Sequence, residues 1–86
     1  MSNRHWNYPV LVICTRTGAT YTVGTTKEAL DMLLNAWPVA EGRAFMRALL
    51  VCAHVESGLR QPLEARTSFI AAAMEAGVPI ETVMAE

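Results

Sequence analysis

The feature that most constrains the fold is the run Ala44 to Ser57, AFMRALLVCAHVES, closed by Gly58. At about 100° per residue, Phe45, Ala48, Leu49, Val51, Cys52, Ala53 and Val55 cover most of the circumference of a helix, with Met46 and Leu50 at the margins. Only a narrow wedge is polar, and Arg43, Arg47 and His54 project along it. Such a helix must be packed on several sides and meet water along one basic stripe, so the rest of the chain has to supply the covering elements.

Those elements follow from local signals. Met1 to Tyr8 reads as a polar lead-in anchored by Trp6 and Tyr8. Beyond Pro9, the β-branched run Val10 to Cys14 reads as a strand, and Ala19 to Val23 alternates as a half-exposed return strand. A two-residue turn would force Thr17 to a positive φ, whereas a three-residue loop, Arg16 to Gly18, puts Gly18 there instead. That loop pairs Leu11 and Ile13 with the Tyr21 and Val23 face, and it leaves Val10, Val12 and Cys14 beside the threonines. Thr25 and Glu28 form a capping box for a first helix whose apolar face is Ala29, Leu30, Leu33, Ala36 and Trp37. Pro38 stops it, because the residue before a proline is driven out of the helical region. Gly58 suits the left-handed end of the central helix. Pro62 suits the first position of a third helix, and Gly77 with Pro79 suits its end. Phe69, Ala72, Ala73 and Ala76 form that helix's inner face, flanked by Leu63, Ile70 and Met74, and the alanines permit close helix approach. Residues 78–86 carry no decisive signal.

The predicted architecture is α+β, β-β-α-α-α, a single domain over 1–86 in which an N-terminal hairpin packs on a helical layer. The hydrophobic share of 52% is high for so short a chain. Such a domain has little core to spare, which makes association with a partner plausible. No apolar run reaches the roughly 18 residues of a membrane span, and the N-terminus lacks the apolar stretch of a signal peptide. The expectation is a cytoplasmic protein with no membrane partner. A formal net charge of −1 gives no general attraction to nucleic acid.

Further along, Trp37-Pro38, the alanine and cysteine of the central helix, and above all AR-x-x-FI-x-AA-x-EAG at Ala65 to Gly77 form a pattern that extends forward to Glu28-Ala29-Leu30 and Pro9-Val10. The chain resembles the small bacterial proteins grouped as Domain of Unknown Function 982, over most of its length. These motifs are largely packing and capping residues. The resemblance implies the fold and a cytoplasmic setting, and it brings no catalytic residue with it.

No residue set has the spacing of a known chemical site. Cys52 and His54 diverge by roughly 160° on a helix, so they cannot share a metal, and neither a metal nor a cofactor is expected. Cysteines in apolar runs with no CxxC spacing read as buried thiols. Nucleophilic catalysis would need a base beside a cysteine or serine, and none lies in reach, which makes an enzyme the least favoured class. The stripe Arg43, Arg47 and His54, with Arg60 and Arg66 nearby, is ordinarily the solvated face of a helix. It could also receive a phosphate, a nucleic-acid backbone or an acidic partner. Arg66 falls inside the arc that should face the core, and Glu56 lies close to the inner line of the central helix, so an ion pair between them is expected to fix the helix hairpin. Finally, Val10 to Cys14 is apolar on both faces, the pattern of a strand covered on both sides. This points to a self-associating interaction module, a homodimer formed over Val10, Val12 and Cys14, with regulatory binding of nucleic acid or a small anion as the alternative.

Overall fold

The computed structural model describes residues 5–14, 17–38 and 40–82, with the side chains of residues 5 and 7 left undescribed. In chain order the elements are β1 (His5–Ile13), β2 (Thr20–Thr25), α1 (Thr26–Asn35), α2 (Arg43–Glu56), α3 (Pro62–Ala76) and β3 (Ile80–Thr82). The architecture is α+β, with the hairpin and helices packed together as the sequence predicts. One element is added: β3 pairs antiparallel with the free edge of β1, giving the sheet order β2-β1-β3. β1 is therefore the central strand, which accounts for its apolar character better than a missing second chain does.

The hairpin register corrects the sequence reading by one residue. Cys14 N–H donates to the Ala19 carbonyl at 2.8 Å and Gly18 N–H to the Cys14 carbonyl at 2.7 Å, so Cys14 pairs with Ala19 across the turn, one residue off the expected register; Arg16, read as part of the turn, lies outside the described residues. Val10 then faces Val23, and Val12 faces Tyr21. A one-residue slip moves every side chain to the other side of the sheet. Val10 and Val12, expected on an outer dimer face, lie instead in the core at 0% and 5% exposure, and Cys14 on the same side is half-buried. Leu11 and Ile13 take the outer side with Thr20 and Thr22 and are half-buried. Gly18 does hold the left-handed position, at φ 78°. Nearer the start of β1 the pairing shifts between His5 and Val10, where Pro9 has no N–H to offer a ladder.

The start of β1 belongs to the fold rather than to a lead-in. Trp6 is buried, its Nε1–H donates to Thr26 Oγ1 at 3.0 Å, and its ring meets Phe69 at 5.8 Å. Thr26 is itself fully buried, so this bond satisfies both polar groups. Phe69 of α3 also meets Trp37, whose ring centroid is 5.3 Å away. Around it the core collects Val10, Val23, Leu33, Cys52, Val55 and the small residues Ala48, Ala65 and Ala72.

At the start of α1 half of the expected capping box forms: Glu28 N–H donates to Thr25 Oγ1 at 3.1 Å, but the Glu28 carboxylate accepts from Gly24 N–H at 2.8 Å and not from the Thr25 amide. Pro62 opens α3, and Gly77 closes it in the left-handed conformation. Ala36, read as part of α1's apolar face, is the exposed C-cap instead. Among the described residues no helix is long and apolar enough to cross a membrane.

Candidate functional site

α2 begins without a capping side chain of its own. Its N-cap is Gly42, at φ 124° and ψ 145°, a backbone region essentially reserved for glycine. The orphan amides of Ala44 and Phe45 donate to the two carboxylate oxygens of Glu75, each at 3.1 Å. Glu75 stands in the last turn of α3, so one side chain caps the central helix and ties it to its antiparallel neighbour. Sequence reasoning missed this contact. The available signal was the absence of Ser, Thr, Asp or Asn before α2, which means its amides must find an acceptor elsewhere.

The helical phase read for α2 holds, but its open side is wider than a basic wedge. Arg43 and Arg47 are exposed, and His54 is half-buried. Beside them Met46 and Leu50 are 57% and 54% exposed, and Ala53 is exposed too. The surface of the central helix is thus an apolar line flanked by a basic one. His54 is engaged: its Nδ1 accepts from Arg60 Nε at 3.3 Å, and Arg60 Nη1 lies 2.8 Å from Glu64 Oε1. This pair, with the Gln61 amide second, holds the Glu64 carboxyl below its usual range. Between α2 and α3 runs a shallow groove of about 330 Å³ whose walls include Arg47, Val51, Leu63, Glu64 and Thr67. Glu64 places a negative charge opposite Arg47, which weakens the groove as an anion seat. Ser68 Oγ is committed to the Glu64 carbonyl at 2.9 Å and adds no donor there.

The expected ion pair between Arg66 and Glu56 is not formed. Glu56 ends α2 and is exposed, whereas Arg66 lies on the side of α3 turned toward β1, where its Nε–H donates to the Tyr8 carbonyl at 2.8 Å. Its Nη2 is buried with no hydrogen-bond partner among the described residues. Arg66 therefore belongs to a helix-to-strand contact and does not join Arg43, Arg47 and His54 in one surface.

Cys52 is fully buried, and burial first, then the nearby Glu56 carboxylate, pushes its thiol up to about 12. A nucleophilic cysteine needs the reverse environment. In the folded protein Cys52 is expected to resist iodoacetamide at mildly alkaline pH and to react once the chain is unfolded in urea, as read by mass spectrometry. Rapid labelling of Cys52 in the native state would contradict this packing. Among the described residues no group of three or more His, Cys, Asp or Glu is placed to hold a metal ion.

A three-stranded sheet backed by three helices, with its distinctive residues spent on packing and capping, defines a small α+β domain. The chain belongs to the family described as protein of unknown function DUF982, whose model matches residues 8–80 of the 86. No curated protein and no solved structure matches it.

Proposed function

We propose that this protein is a non-enzymatic interaction module of the cytoplasm that acts by self-association. One observation carries the reading: Met46, Leu50 and Ala53, spaced i, i+4 and i+7 on the helix that organises the core, form one exposed line. Single exposed apolar residues are ordinary, but a contiguous line on a central helix marks an interaction face. Val10 and Val12 cannot form this face, because both are buried in the core of one chain. Sedimentation velocity from low to high micromolar concentration tests the reading. A concentration-dependent shift from monomer to dimer is expected, and a strict monomer at high micromolar concentration overturns it.

Anion or nucleic-acid binding is the second reading, favoured by Arg43 and Arg47, which form no ion pair among the described residues. Titrating the protein into a generic DNA duplex at falling ionic strength decides it, since contacts to phosphate strengthen steeply as salt is removed. On the first reading no salt-sensitive binding is expected.

A further inference from the structure

Resting on the self-association reading, we propose that the partner is a second copy of this chain, docked antiparallel along the outer face of α2. Positions 43, 46, 50, 53 and 57 alternate in steps of three and four, the spacing by which two helices meet along one seam. All five are exposed, the first four on α2 and Ser57 as its C-cap.

The charges fix both the occupant and the direction. Arg43 stands in the first turn of α2 and Glu56 in the last, so each opposes the dipole of its own helix, whose N-terminus is partly positive and whose C-terminus is partly negative. Neither forms an ion pair among the described residues, and Glu75, which caps the same end as Arg43, is engaged with backbone amides. A second α2 running antiparallel across a two-fold axis reverses the account. Arg43 then lies against the C-terminal turn and Glu56 of the second copy, and symmetry repeats the contact at the other end. A parallel copy would set Arg43 against Arg43 and Glu56 against Glu56. In the antiparallel layering Met46 packs on Leu50 of the second copy, and the small Ala53 leaves room for the stem of Arg43. The helix has 14 residues, about 21 Å, so the contact is small and its affinity is expected in the micromolar range.

Sedimentation velocity on designed variants tests the inference. Leu50→Asp is expected to weaken dimerisation by about tenfold or more, whereas Leu34→Asp, at a 62% exposed position on α1, leaves it unchanged. Arg43→Glu weakens it by roughly threefold or more, and Arg43→Glu combined with Glu56→Arg restores it. Arg43→Glu has a second readout: it agrees with the helix dipole but sets a carboxylate near that of Glu75, so thermal melting of dilute, monomeric protein should stay close to the wild type while the dimer weakens. That confirms the variant is folded. A wild-type dimer unaffected by Leu50→Asp overturns this interface while leaving self-association standing. A double charge swap as weak as Arg43→Glu alone overturns the antiparallel direction. A wild-type monomer at every concentration removes the underlying reading and this inference with it.

Discussion

Phe69→Ala is expected to destabilise the protein by about 3–5 kcal/mol, the range for removing a fully buried aromatic ring. Phe69 has no exposed surface and is the ring on which Trp6 and Trp37 both lean, at 5.8 and 5.3 Å. Its loss leaves a cavity bounded by the start of β1 and by the end of the first helix region. Two large side chains then lose their common support, and neither is free to fill the space. Trp6 is held by its bond to Thr26, and Trp37 is followed by Pro38. Against a total stability of roughly 5–15 kcal/mol for a domain, such a loss is a large fraction. Thermal melting followed by circular dichroism should show a midpoint lower by roughly 12 °C or more. Met74→Ala on the same helix is the comparison: Met74 is 74% exposed, and its truncation should stay within about 0.5 kcal/mol. A Phe69→Ala loss below about 1.5 kcal/mol would mean that the core closes around the gap, against the rigidity inferred here.

Signals that act within a few residues were legible in the sequence. Thr25 with Glu28, Pro62 and Gly77 each mark a helix end through groups three or four residues away, and the structure places them there. The inner faces of α2 and α3 followed from periodicity because a helix repeats its environment every turn. The hairpin register did not, since it rests on whether the connection takes three residues or four. Both keep Gly18 left-handed, and their difference lies in the core rather than in the loop. β3 was hidden for another reason: three residues cannot display an alternation, and the segment is held by the edge of β1 far away in sequence. Arg66 shows the limit for a site. The helical wheel correctly turned it inward, but its acceptor is a backbone carbonyl of Tyr8, 58 positions away, and carbonyls carry no mark in a sequence. The width of the open face of α2 was equally illegible, because whether Met46, Leu50 and Ala53 are covered depends on where α1 and α3 dock.

Gly42→Ala combines two costs at one position, and they can be separated. The backbone at φ 124° and ψ 145° lies where a side chain costs about 1–3 kcal/mol whatever surrounds it. In addition, a Cβ on Gly42 would overlap the Glu75 carboxylate and push it from the Ala44 and Phe45 amides. Losing a helix cap costs about 1 kcal/mol more, so the single substitution is expected to cost about 2–4 kcal/mol in urea unfolding. Glu75→Ala alone removes the cap and leaves the glycine backbone unstrained, at about 1 kcal/mol. In the Glu75→Ala background no carboxylate remains to collide with, and Gly42→Ala retains only its backbone cost. The double variant should therefore be less destabilised than the sum of the singles by about 1 kcal/mol, a coupling expected only of residues in direct contact. Strict additivity would show that Glu75 does not cap α2 in solution, and the tie between the central helix and α3 would then have to come from their apolar faces alone.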